Sequence, residues 1–137
     1  MILLDTSVLS AAFRRRHGAE SEAAGALRRM IGADLPVAVP GIALQEIFSG
    51  GRSDAAFLRL GDLLDAFPIT TADRRDHITG AKIANACRRT SIATSTIDCL
   101  ITAMAIERDA PLFTLDENFI RMARHCELKL WRPTAHA

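Results

Sequence analysis

Four acidic side chains carry most of the chemistry open to this 137-residue sequence. Asp5 follows the apolar run Ile2-Leu3-Leu4, Glu46 lies in Leu44-Gln45-Glu46-Ile47, Asp98 in Ser95-Thr96-Ile97-Asp98, and Asp116 in Thr114-Leu115-Asp116. Each has an ordinary explanation. Asp5 can cap a helix starting at Ser7, and Asp116 one starting at Glu117. Ser95-x-x-Asp98 fits a capping box whose carboxylate also favours the helix dipole, and Glu46 can be an exposed helix residue. Their settings say more. Asp5 and Asp98 adjoin strongly apolar stretches, which places both near the core, and Glu46 shares a stripe with Ile42 and Ala43 followed by small Ser49 and Gly50. If the four converge, repulsion dominates: two carboxylates ~4 Å apart repel by about 4 kcal/mol at an effective dielectric near 20. Such a group must take up protons or bind a hard cation, and Mg²⁺ or Mn²⁺ suits oxygen ligands. One or two such ions can activate water and bridge phosphate oxygens.

The elements that must position these acids are short apolar strands alternating with helices. Strands are expected at Ile2-Leu3-Leu4, Val37-Ala38-Val39, Pro68-Ile69-Thr70, Leu112-Phe113-Thr114 and Leu128-Lys129-Leu130-Trp131. Helical spacing joins Ala23, Leu27, Met30 and Ile31, then Ala56, Leu60, Leu63 and Phe67. It also joins Ile78, Ala81, Ala84 and Cys87, and Ile97, Leu100, Ile101 and Met104. Pro40-Gly41 opens a helix that Gly50-Gly51 ends, and a last helix spans Glu117 to Arg124. This alternation predicts an α/β fold with a mainly parallel sheet covered on both faces. Ligands in such folds bind beyond the carboxyl ends of the strands, where Asp5 and Asp116 stand. A single domain over 1–132 with a frayed tail at 133–137 is expected.

Other chemistries find little support. No G-x-S-x-G elbow prepares a serine nucleophile, and Gly50-Gly51 lacks the lysine and helix of a phosphate loop. The four histidines, His17, His77, His125 and His136, show no ligand spacing. Cys87, Cys99 and Cys126 are odd in number and scattered, which disfavours a disulfide framework or a zinc site and predicts a reducing, cytoplasmic setting. No signal peptide and no membrane span are expected. Seventeen Lys+Arg against sixteen Asp+Glu give a net charge of +1, so bulk positive charge does not hold a nucleic acid here.

The chain resembles a PIN domain, in particular the VapC-type toxin ribonucleases of bacterial toxin–antitoxin pairs. The matching pieces are Met1-Ile2-Leu3-Leu4-Asp5-Thr6-Ser7, Leu44-Gln45-Glu46-Ile47, Thr96-Ile97-Asp98-Cys99-Leu100-Ile101-Thr102-Ala103 and Leu112-Phe113-Thr114-Leu115-Asp116-Glu117-Asn118-Phe119. They keep the family's order and spacing from residue 1 to about 131. The resemblance implies a three-layer α/β/α fold and a Mg²⁺-dependent endoribonuclease, with Mn²⁺ able to substitute, that hydrolyses RNA with a metal-activated water. It implies that Asp5, Glu46, Asp98 and Asp116 ligate the metal and carry catalysis, and that Thr6 and Thr114 orient carboxylates. Asn118 stands where the family often has another acid. It brings a carbonyl oxygen without charge, which weakens a second metal position. The resemblance also implies a VapB-like antitoxin partner and a homodimer, for which exposed apolar residues between 55 and 90 are candidates.

Arg14, Arg15 and Arg16, Arg28 and Arg29, and Arg88 and Arg89 are the candidate RNA contacts, each run being equally explicable as a solvated helix face. Six Phe, one Trp and no Tyr disfavour a single-strand binder built on stacking platforms. Two rivals remain. A phosphoacceptor receiver needs an acidic pair after the first strand and a lysine near the end of the last, but Asp5 stands alone and Lys129 is inside its strand. A PIN fold that binds without catalysing is the other, and Asn118 is the residue that favours it.

Overall fold

The computed structural model describes residues 1–13, 22–50 and 53–133. Its helices and strands follow the apolar runs: β1 Ile2–Leu4, α1 Thr6–Phe13, α2 Glu22–Gly32, β2 Val37–Pro40, α3 Gly41–Phe48 and α4 Asp54–Leu64. Then come β3 Ile69–Thr70, α5 Arg74–Arg89, α6 Thr96–Glu107, β4 Leu112–Phe113 and α7 Glu117–Met122. The strands form one parallel sheet in the order β3-β2-β1-β4. Every residue of β1 is buried, as a central strand covered on both faces requires. The architecture is the α/β/α arrangement of a PIN-like fold.

This order has a consequence for function. The chain steps outward from β1 to β2 and β3, then returns to lay β4 on the other side of β1. The connections therefore diverge between β1 and β4, and the carboxyl ends of those two strands are where open parallel sheets bind ligands. Asp5 leaves β1 there, its backbone N donating to the Phe113 carbonyl at 3.0 Å. Thr114 to Asp116 leave β4 at the same place.

Several expectations need correction. In α5 the buried face is Asp76, Gly80, Ile83 and Cys87, while Ile78 is 52% exposed and Ala81 is exposed too. Gly80 lets α5 press on α6, since a Cβ there would lie 3.5 Å from the Cys99 carbonyl oxygen. Asp76 is buried because Arg108 reaches it with both terminal nitrogens at 2.8 and 2.9 Å. That guanidinium holds the Asp76 carboxyl below the usual carboxylate range. In α4, Leu60 and Leu64 are buried and Leu63 is exposed; Phe67 is buried beyond the helix end. Thr114 lies just after β4 rather than within it, and α7 ends at Met122. The run 128–131 makes one isolated parallel bridge, Leu112 to Leu130, instead of a strand. The reason is that β4 is two residues long and offers that side only the Leu112 N–H and carbonyl, which pair with Lys129 and Trp131. The expected tail falls, from residue 134, outside the described residues.

Candidate active site

Asp5 is 4% exposed, and a buried carboxylate needs donors to offset lost hydration. They converge on Oδ2: Ser7 Oγ at 2.6 Å, Thr114 Oγ1 at 2.8 Å and the Ser7 backbone N at 3.3 Å. The Ser7 oxygen also accepts from the Leu115 N–H at 2.9 Å, tying the start of α1 to the segment after β4. With both hydroxyl protons given to Asp5, Ser7 and Thr114 stand 3.2 Å apart as neighbouring oxygens. Sequence reasoning did not place Ser7 among the site residues. The available signal was a hydroxyl two positions after an acid, the spacing of a side-chain turn.

Glu46, half-buried on α3, accepts from Thr6 Oγ1 at 2.9 Å. Burial pushes its carboxyl above the usual range and the charges of Asp5 and Asp98 add to this, with the Thr6 bond opposing. Asp98 sits in the first turn of α6, where its backbone N–H donates to Ser95 Oγ at 3.0 Å. Its Oδ2 accepts from Asn118 Nδ2 at 3.3 Å. Burial raises its carboxyl too; Asn118 opposes that, and the charges of Asp116 and Asp5 raise it further. Asp116 is exposed and caps α7, accepting from the Asn118 N–H at 2.9 Å while its own N–H donates to Thr114 Oγ1 at 3.0 Å. Asn118 thus connects the acid after β4 to the acid on α6.

Asp5, Glu46 and Asp98 lie within electrostatic reach of one another, and Asp116 within reach of Asp98, but they are not drawn into a ready ligand shell. Among the described residues no three His, Cys, Asp or Glu side chains are grouped to hold a metal ion. The donor chemistry nevertheless fits Mg²⁺ or Mn²⁺: all four acids offer hard oxygens, and two of them resist ionising beside the others. Arg14, Arg15 and Arg16 lie outside the described residues. Arg28 and Arg29 are on the exposed face of α2. Arg88 donates to Asn85 at 3.0 Å and lines a cleft of about 620 Å³ whose α6 wall includes Thr96, Ile97 and Leu100 but not Asp98. Arg89 is exposed at the end of α5. The structure thus brings none of these described arginines into contact with the four acids.

A family model for the PIN domain matches residues 2–125, and the chain belongs to that family. No curated protein matches it by sequence. Among solved structures it is similar to FitAcB from Neisseria gonorrhoeae, at 21% identity and a TM-score of 0.76, covering 97% of this chain and 98% of that one. VapBC2 from Rickettsia felis, bound to a DNA fragment from its promoter, gives 19% identity, a TM-score of 0.75 and coverage of 96% and 100%. VapBC-5 from Mycobacterium tuberculosis, a member of the VapBC toxin–antitoxin family, gives 19% identity, a TM-score of 0.68 and coverage of 96% and 97%. At these identities the likeness speaks for the fold.

Proposed function

We propose that the chain is a metal-dependent endoribonuclease acting as the toxin of a toxin–antitoxin pair. The observation that carries this reading is the meeting of acids beyond the carboxyl ends of β1 and β4. There a buried Asp5 is fixed by Ser7 and Thr114, with Glu46 and Asp98 close enough for their charges to oppose one another. Asp5, Glu46, Asp98 and Asp116 would hold Mg²⁺, or Mn²⁺ in its place. When bound, the cation supplies positive charge that neutralises what develops on the phosphodiester oxygens. The protein's own groups do the rest. Ser7 and Thr114 lock one oxygen of Asp5, and Thr6 and Asn118 do the same for Glu46 and Asp98, so the carboxylates are aimed before substrate arrives. Glu46 and Asp98, whose proton affinity is raised, are the two suited to orient the attacking water and accept its proton.

An antitoxin partner draws support from the toxin–antitoxin system of the similar Mycobacterium tuberculosis structure and from the surface. An apolar groove of about 670 Å³ runs between α1, α2 and α4, edged by exposed Ile31, Leu35 and Leu63, the kind of surface that takes an apolar helix face. Exposed Phe57, Leu58 and Ile78 are available to a homodimer. Three free thiols agree with a reducing, cytoplasmic compartment. No helix among the described residues is long and apolar enough to cross a membrane.

The test is cleavage of a structured RNA by the purified chain with Mg²⁺ or Mn²⁺ and with EDTA. Activity should stop in EDTA, and Asp5→Asn and Asp98→Asn should each lower it by about 10²-fold or more. Equal activity in wild type and both variants would identify a contaminating nuclease and overturn the assignment. Binding of RNA and antitoxin with no cleavage would favour the non-catalytic PIN module, the reading that Asn118 supports by placing an amide where another acid would add charge.

A further inference from the structure

A second cleft, of about 520 Å³, shares Thr114 with the Asp5 site and opens between β4, α1, α2 and the segment 130–133. Its walls include Phe113, Leu115, Ile120 and Trp131, and Glu22 and Arg132 stand at its rim. The indole is held in place from two directions. Its ring lies 4.8 Å from that of buried Phe113 at a tilt of 57°, and its backbone N–H donates to Leu112 at 2.8 Å. Trp131 is nevertheless only half-buried, and Leu115, 51% exposed, forms a lip open to solvent. Thr114 belongs to both places: it lines this cleft and donates to Asp5 Oδ2 at 2.8 Å.

The geometry points to a nucleobase subsite for the RNA substrate, with the base against Trp131, its edge toward Glu22 and its phosphate toward Arg132. The inference rests on the ribonuclease reading and deepens it. A mostly apolar cleft with a fixed aromatic wall suits the face of a base. A carboxylate at the rim accepts N–H donors from the base edge, and guanine presents two side by side. A guanidinium suits the attached phosphate. The sharing of Thr114 sets the cleft one side chain from the candidate catalytic carboxylate, so the subsite would select the nucleotide beside the scissile bond. Composition disfavours a row of stacking platforms, but one platform in this position would give preference at a single nucleotide.

Trp131 is the only tryptophan in the chain, and there is no tyrosine, so its emission reports on this cleft directly. The experiment titrates the whole protein in EDTA with guanosine 5′-monophosphate, uridine 5′-monophosphate and ribose 5-phosphate. Saturable quenching by the guanine nucleotide, weaker quenching by the uracil nucleotide and none by ribose 5-phosphate are expected. Arg132→Ala should weaken binding of guanosine 5′-monophosphate about fivefold, as for one exposed charge contact, and leave that of guanosine unchanged. Glu22→Gln should narrow the gap between guanine and uracil. Both are surface changes that leave the Phe113–Trp131 contact intact. No quenching by either nucleotide, or equal quenching by ribose 5-phosphate, would overturn the subsite. Because the readout needs no metal, silence here together with Mg²⁺-dependent RNA cleavage would remove the subsite and leave the ribonuclease standing. Quenching without cleavage would support base binding and remove the catalytic reading.

Discussion

A carboxylate that is buried among other carboxylates holds its proton more tightly than in the unfolded chain, and this makes Asp98 a measurable burden on the metal-free fold. Its folded-state pKa is raised by burial and by the charges of Asp116 and Asp5, with Asn118 and Ser95 opposing. The sign follows from linkage. Between the unfolded and folded values the native state binds more protons, so stability is full below the unfolded pKa and falls as pH rises through the folded one. In EDTA at neutral pH, Asp98→Asn should therefore raise Tm by a few degrees, although in Mg²⁺ the same variant should lose cleavage. The gain should vanish near pH 3, where the wild-type carboxyl is protonated in both states. A melting series from pH 3 to 8 checks this, and an equal or lower Tm for the variant at pH 7 would show that Asp98 is not strained by its neighbours. The residue scale was partly readable beforehand. Asp5, Glu46 and Asp98 stand out against apolar flanks, and Thr6 and Thr114 adjoin them in sequence or strand. Ser7 was missed because its hydroxyl looks like that of any helix start, until the fold carries Thr114 and Leu115 across to it.

At the scale of elements, the strands were legible because a central parallel strand is apolar at every position, as in Ile2-Leu3-Leu4. The face of α5 was not. Its apolar stripe through Ile78 and Ala81 points outward, while the contact with α6 is made by Gly80, which carries no hydrophobic signal, and by Asp76. Asp76 is buried only because Arg108, thirty-two residues away, pairs with it. The closing run 128–131 has strand composition but meets a partner too short to pair with it. Gly80 yields a prediction with two signs. A Cβ there would meet the Cys99 carbonyl at 3.5 Å and Leu100 Cα at 3.6 Å, ordinary contact distances. Gly80→Ala should therefore be accepted and gain about 0.5–1 kcal/mol in helix propensity. Gly80→Leu must push α6 away, lowering Tm and displacing Asp98, so its cleavage rate should fall even at temperatures where it remains folded. Thermal melts and cleavage assays of the two variants side by side check this; a harmless leucine would mean that the α5–α6 spacing does not position the site.

The whole molecule carries a formal charge of +1, and that sum conceals acids that raise one another's proton affinity near the ends of β1 and β4, offset by arginines elsewhere on the surface. On the proposed reading a cation would supply the positive charge needed at a phosphodiester, and a ligand bound to the native state alone must stabilise it. At a free Mg²⁺ concentration ten times its Kd the gain is about 1.4 kcal/mol, or roughly 4 °C in Tm for a domain of this size. The rise should be larger at pH 7 than at pH 5, because Glu46 and Asp98 are the carboxyls that protonate first and metal competes with those protons. Asp5→Asn should remove most of it, since the cation loses the acid held most rigidly by Ser7 and Thr114. NaCl at matched ionic strength gives the screening contribution, which relaxes repulsion among the four acids without occupying a site. A Mg²⁺ shift no greater than that of NaCl, or one that survives Asp5→Asn unchanged, would show that the acids repel without binding. The acids beyond β1 and β4 would then be neighbours in charge without making a metal centre.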